Sequence, residues 1–327
     1  MIHVIKYGAE KKETWESLLS RSVNGTFLHS RDFIDYHGDR FKDASVLIYK
    51  DEECVGIFPA NYNGSEQVES HAGLTYGGLI FKFDTYSKDT LKYLAAILKF
   101  FNREGVEILE VKLVPDFYHK STRQEIEYGL KLAKGKIKKI DLTCVLDLRP
   151  DVEIPMQERR IRGADKAKDN HVYVRETSDF EEYWTKVLIP NLKKRHGVVP
   201  VHTLDEIEYL YERNQGNIRQ FNVYQKDEII GGTTIFETDT TAHTQYISST
   251  VKGRDLGALD FLFTYLIDEV FNEKKYFDFG RVNEESERSL NIGLLDWKEG
   301  FGARGFVQRH YSVETKNYSL IEQLLQS

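Results

Sequence analysis

The sequence predicts an α/β (α+β) fold of two tandem units, each a mixed, mostly antiparallel sheet flanked by helices. Three observations carry this. A strand–turn–strand pattern occurs twice: residues 45–60 read SVLIYKDEECVGIFPA and residues 221–236 read FNVYQKDEIIGGTTIF. Each turns at a charged pair, Asp51-Glu52 or Asp227-Glu228, and enters its second strand through Gly56 or Gly231. Each hairpin is followed by a strand segment carrying a histidine, His71 in SHAGLTYGGLIF and His243 in AHTQYISS. Each then runs into a helix and a further strand: TLKYLAAILKFFN and EILEVKL in the first half, LDFLFTYLIDEVF and KYFDF in the second. One α/β unit written twice accounts for that order.

The elements follow from spacing. In the first half, Asp84-Thr85-Tyr86-Ser87 reads as an ordinary capping stretch before the helix. The join lies near 150–168: Arg149-Pro150 closes the first domain (1–150), and QERRIRGADKAK opens the second (151–327) as a short basic helix. In the second half, Tyr246 and Ile247 among Thr and Ser suit a strand. Leu259, Leu262, Phe263, Leu266, Ile267 and Val270 recur as one apolar helix face. Between them the spacing predicts an open loop with Gly253, Arg254 and Gly257. Free amides, a helix dipole and a guanidinium would there meet at one point suited to a phosphate. The first half has no such loop, so a phosphate-bearing ligand is expected on the second half. Residues 289–299 read as a last short helix ending in Trp297-Lys298-Glu299-Gly300-Phe301-Gly302.

Composition bounds the function. A chain of 327 residues with 40% hydrophobic and 13% aromatic side chains can build two real cores. A net charge of −7 argues against a dedicated nucleic-acid binder. The basic runs KLAKGKIKK and RRIRGADKAK read as solvated faces or as contacts to tRNA or nucleotide-sugar phosphates. Cys54 and Cys144 sit in apolar strand-like runs, as buried thiols do, and no Cys/His cluster has metal spacing, so no metal is expected. With no signal core and no apolar run of about 18 residues, the chain reads as cytoplasmic, meeting any lipid-linked substrate at the inner membrane face. The duplication can stand in for a dimer, so a monomer is expected.

Two motifs carry a resemblance. Arg254-Asp255-Leu256-Gly257-Ala258 resembles the pyrophosphate loop of the GNAT acyltransferases, Gln/Arg-x-x-Gly-x-Gly/Ala. Leu295-Asp296-Trp297-Lys298-Glu299-Gly300-Phe301 resembles their Leu-Tyr-x-Lys-x-Gly-Phe. Two GNAT-like halves in one chain resemble the Fem family of bridge-forming aminoacyltransferases. The pieces that carry it further are His29 to Phe33, Tyr36-His37 with Arg40-Phe41, Ser70 to Gly78, Pro115 with Tyr118-His119, Pro200-Val201-His202 and His243 to Tyr246.

The resemblance implies transfer of an acyl or aminoacyl group to an amine on a cell-wall or surface-polysaccharide precursor. Acyl-CoA (acetyl-CoA) would lie on Lys252, Gly253, Arg254, Asp255, Leu256, Gly257 and Ala258, with Lys298 by the donor channel. In the Fem enzymes the donor is aminoacyl-tRNA, which is the second reading; a non-catalytic glycan- or nucleotide-binding protein is the third. The long helical hairpin of some Fem enzymes is missing here. Asp296 stands where the family has a tyrosine that reprotonates the leaving thiolate, and burial would have to raise its pKa by several units to do that work.

Attack on an acyl donor needs a neutral amine and therefore a group that accepts a proton near neutral pH. His71 and His243 suit this, then Glu237. Alternation along the strand predicts His243 and Gln245 on one face, beside the thioester carbonyl, with Tyr246 on the other. For the acceptor, Arg31, His37 and Arg40 read as one helix with 37 and 40 on a shared face, able to grip a phosphate or carboxylate or simply solvated. Tyr76 lies in a Gly-rich turn that admits either a ligand or close packing. Tyr118 and His202 join the acceptor contacts through the resemblance. Two chance matches carry nothing: Gly300 to Gly305 fits GxGxxG, but a helix precedes it and a strand follows. Asp278-Phe279-Gly280 looks like a kinase signature without its companion loops.

Overall fold

A computed structural model describes residues 1–152, 154–284 and 289–326, without the side chain of residue 196. The strands in chain order are β1 (Ile2–Lys6), β2 (Val46–Lys50), β3 (Glu53–Phe58), β4 (Asn61–Tyr62), β5 (Gln67–Glu69), β6 (Ile80–Phe81) and β7 (Ile108–Lys112). There follow β8 (Lys136–Asp147), β9 (Val172–Thr177), β10 (Ile218–Gln225), β11 (Glu228–Glu237), β12 (Thr241–Ser249), β13 (Tyr276–Arg281) and β14 (Arg304–Glu314). One unit comprises Met1–Asp141 with the chain from Val307 onward, the other Leu142–Phe306. The chain thus passes between units twice, along β8 and back along β14, rather than once near residue 150. The tail assigned to the second domain folds with the first.

In the first unit the strands run in the orders β1-β2-β3-β6 and β4-β5-β7-β14. The helix Ser87–Arg103 packs Leu94, Ile97, Leu98 and Phe101 on them. In the second the order is β8-β13-β12-β11-β10-β9, antiparallel except where β12 meets β13. The hairpins β2–β3 and β10–β11 share more than their outline. Each carries a one-residue register shift at the same place, leaving Val55 in the one and Ile230 in the other without an opposite number. Such a bulge tightens the local twist, and its recurrence supports the internal repeat. The second turn sits at Lys226-Asp227, one residue earlier than the charged pair suggested, with Lys226 at φ +56°.

The second core gathers on one aromatic ring. Phe263, on the helix Ala258–Tyr265, meets Phe277, Phe279, Trp297 and Phe301 at centroid distances of 6.0, 5.2, 5.4 and 5.8 Å. This cluster fixes β13 and the helix Ile292–Glu299 against one helix, and with them the two elements that carry the site's Asp278 and Lys298.

β12 and β13 pair in parallel over three positions only, Thr241↔Tyr276, Ala242↔Phe277 and His243↔Asp278. β12 then continues beside β11 to Ser249, while β13 shifts register at Gly280 and finishes against β8 at Arg281↔Thr143. The sheet opens beyond His243. Among the described residues no helix is long and apolar enough to cross a membrane, and no His/Cys/Asp/Glu group is arranged to hold a metal.

Candidate active site

The histidine at the mouth of that opening is aimed by its strand. Across β11–β12, Thr234 faces Tyr246 and Ile235 faces Thr244, so Gln245 is a bulge with no opposite residue. The bulge resets the alternation: Ala242 and Ile247 both lie on the core beneath the helices, five positions apart. His243 and Tyr246 consequently share the other face. The expected pairing of His243 with Gln245 against Tyr246 is corrected, because strict alternation holds only without a bulge.

Asp278 stands behind His243. Its side chain is 5% exposed, and its Oδ2 lies 2.8 Å from His243 Nδ1. Its Oδ1 accepts from Thr143 Oγ1 at 2.8 Å and from the Gly280 amide at 2.7 Å. A carboxylate held by a hydroxyl and an amide can only accept, so the Nδ1–H tautomer of His243 is selected and Nε2 presents its lone pair. No hydrogen-bond partner for Nε2 occurs among the described residues. Gly280 sits at φ +75°, a conformation that other residues adopt only under strain. A side chain there would also touch His243 Cε1.

Lys298 closes the floor. It is 3% exposed, and its Nζ donates to Gly280 O at 2.8 Å and Arg281 O at 2.9 Å, pinning the end of β13 to the helix Ile292–Glu299. Burial pulls its pKa down to about 8, against the nearby Cys144 and Asp278 that pull it up. Two of its three N–H groups are taken by carbonyls. Burial pushes the Cys144 thiol up to about 11, so it carries no thiolate near neutral pH.

Tyr246 hydrogen-bonds His202: its Oη lies 2.6 Å from His202 Nδ1 and accepts from the His202 amide at 3.1 Å. Burial pushes the Tyr246 hydroxyl up to about 12. Along β12 the buried hydroxyls of Thr244 and Ser248 have no hydrogen-bond partner among the described residues.

The donor loop is not a loop. Thr250 caps a helix over Val251–Leu256, taking the Gly253 amide on its hydroxyl at 3.0 Å and the Arg254 amide on its carbonyl at 3.0 Å. The Arg254 guanidinium donates to Ser249 O at 3.0 Å, the Gly257 amide to Arg254 O at 3.2 Å, and Lys252 pairs with Glu228 at 2.6 Å. Asp255 is exposed, Leu256 packs on the core, and Ala258 begins the next helix. The glycines answer to packing: a Cβ on Gly253 would lie 2.0 Å from Ile230 O, and one on Gly257 2.2 Å from Gly163 O. The expectation of free amides at Gly253, Arg254 and Gly257 is overturned, since a threonine cap starts a separate short helix at Val251, which Gly257 ends before the expected helix begins at Ala258.

Asp296 is exposed, its carbonyl accepting from Arg159 at 2.7 Å. The burial that would make it a proton donor is missing. Glu237 is neutralised by Arg219 at 3.0 Å and Lys274 at 2.8 Å.

Of the first-unit candidates, Arg31, His37, His71, Tyr76 and Tyr118 are buried. Arg31 is buried over the Tyr7 ring, where Asp35 and Asp43 neutralise it. The single helix expected over 31–40 breaks at Gly38, with φ +53°, so His37 is buried while Arg40 is exposed and caps the carbonyls of Tyr36 and His37. Tyr76 packs on Tyr118 at 4.5 Å, and its hydroxyl donates to Thr26 Oγ1 at 3.2 Å. His71 is buried at φ +60°, its Nδ1 has no hydrogen-bond partner among the described residues, and burial with the neighbouring His37 pulls its pKa down to about 3.

Sequence reasoning missed Asp278, Thr143 and Gly280. Its one available signal was an acid inside the apolar strand KYFDF, which a buried strand tolerates only with partners.

No family model and no curated protein matches the sequence. Solved structures define the class of fold: the chain has a tandem GNAT-type fold. FemX matches with a TM-score of 0.66 at 13% identity, over 98% of this chain and 100% of that one. L-PGS from Bacillus licheniformis matches at 0.55 and 11% identity, over 98% of each. A tandem GNAT protein from the clavulanic acid biosynthesis pathway matches at 0.51 and 11% identity, over 96% of this chain and 99% of that one.

Proposed function

We propose that the protein is an acyltransferase of the GNAT and Fem kind, acting on an amine at the opening between β12 and β13. The observation that carries this reading is the His243–Asp278–Thr143 relay, with a single ring nitrogen that has no partner among the described residues. In the reaction the amine nitrogen attacks the acyl carbon and its proton passes to His243 Nε2. The carbonyl re-forms as the bond to the leaving oxygen or sulfur breaks, and that atom takes up a proton. Asp278 steadies the imidazolium that forms in between. Transfer is direct, since burial keeps both thiols protonated.

Between donors, the occupied amides of Gly253, Arg254 and Gly257 favour an aminoacyl ester over a CoA diphosphate. The acceptor is an amine of a cell-wall or surface-polysaccharide precursor. Turnover of acyl-CoA is to be compared with tRNA-dependent transfer, with and without RNase. His243→Ala should lower turnover by about 10²–10⁴-fold with either donor. Full activity in His243→Ala, or no transfer from either donor, sinks the reading.

A further inference from the structure

One surface of the second unit has no place in that chemistry. The helix Ile189–His196 ends in Lys193, Lys194 and Arg195, all exposed, and is stopped by Gly197 in the left-handed conformation at φ +67°. Immediately after it Val198, Val199 and Val201 are 44%, 62% and 78% exposed, with Pro200 among them. Nearly every other valine of this unit is buried or half-buried, and a run of exposed aliphatic side chains is not tolerated on a surface without a use. The cations are equally unattended. Lys193, Lys194 and Arg195 form no ion pair among the described residues.

We propose that residues 193–201 dock the second unit on an anionic lipid bilayer. Aliphatic tips enter the interface while adjacent cations meet lipid phosphates, the arrangement by which peripheral proteins hold to such surfaces. RNA would satisfy the cations and leave three valines in water; an apolar protein groove would satisfy the valines and strand three charges. An anionic bilayer answers both at once. The segment is also firmly rooted. The next residue, His202, is buried, and its amide and ring both bond to Tyr246 on β12. Docking would therefore set the strand of the candidate active site at the membrane surface and make lipid-linked acceptors accessible to it. The proposal does not depend on His243 being a base.

The full-length protein should float with vesicles of mixed phosphatidylcholine and phosphatidylglycerol and remain behind with phosphatidylcholine alone. Val199→Asp with Val201→Asp should abolish flotation. Lys193→Glu with Lys194→Glu should weaken it by about tenfold or more. These side chains are exposed, so unchanged melting curves should show the variants folded. Val199→Trp gives an independent reading, a blue-shifted emission on anionic vesicles only. The proposal is overturned by equal flotation on neutral vesicles, by flotation the aspartates leave intact, or by none at all. Self-association that the aspartates abolish would overturn it in favour of a second copy of the chain, and binding of RNA at the lysines in favour of a nucleic acid.

Discussion

The two units contain the same hairpin, down to the bulge, and each later presents a histidine, yet only one of those histidines is equipped as a base. His243 has a buried carboxylate at 2.8 Å on the neighbouring strand. His71 faces rings instead: His37 at 5.0 Å and Phe41 at 5.3 Å. A base pulled down to about 3 cannot hold a proton at neutral pH. Even the lysines diverge in parallel. Lys298 ties two carbonyls at the end of β13, whereas Lys112 donates to the carbonyls of His71, Ala72 and Leu74 and freezes the turn that carries the histidine. A repeated frame supplies equivalent positions; the residues behind those positions set them apart.

The sharpest way to break this contrast is Asp278→Asn, which keeps the shape and removes the charge. Turnover should fall by about 100-fold while melting changes little, because the amide can still accept from Thr143. Unaltered turnover would make the two histidines equivalent after all. His71→Ala should do the reverse. Deleting a buried ring costs about 2–4 kcal/mol of stability, and turnover per folded molecule should be preserved. Lys298→Met comes next, since two buried carbonyls lose their donor. A loss of about 1–3 kcal/mol in denaturant titrations is expected, with a smaller drop in activity as Gly280 loosens behind His243.

A further test separates the units by pH. His29, His71 and His310, all in the first unit, are pulled by burial to about 4, 3 and 4. Each binds a proton more readily in the unfolded chain, with its ordinary pKa near 6.5, than in the fold. Their contribution is therefore complete above about pH 6.5 and is lost as pH falls from there towards 4, at roughly 1.4 kcal/mol per pH unit for each. Thermal melts of the whole chain should show that slope, and His71→Phe should reduce it. A stability flat from pH 7 to pH 4 would show these rings to be solvated.

Periodicity made much of the fold legible. The hairpin repeat, the helix on Leu262 and Phe263 and the strand KYFDF are local patterns in which each side chain faces the way its spacing dictates. Local reading failed where one residue changed the count. The bulge at Gln245 moved Tyr246 to the face of His243, and the cap at Thr250 turned an expected phosphate loop into helix. His243 was legible as a candidate because histidine is the side chain that titrates near neutral pH. Its partner was not, because Asp278 sits 35 positions further on in a tripeptide whose chance likeness to a kinase signature hid it.

By itself, then, the sequence determined most of the strands and the longer helices, that the unit occurs twice, and which histidines were worth weighing. Those are short-range properties of side-chain size, polarity and period. The tertiary structure alone decided which histidine has a carboxylate behind it, which amides are already taken and which valines have nowhere to go. Such outcomes depend on hydrogen bonds and burial among Thr143, His243, Asp278 and Lys298, far apart in the chain and adjacent only after β12 and β13 have met and parted.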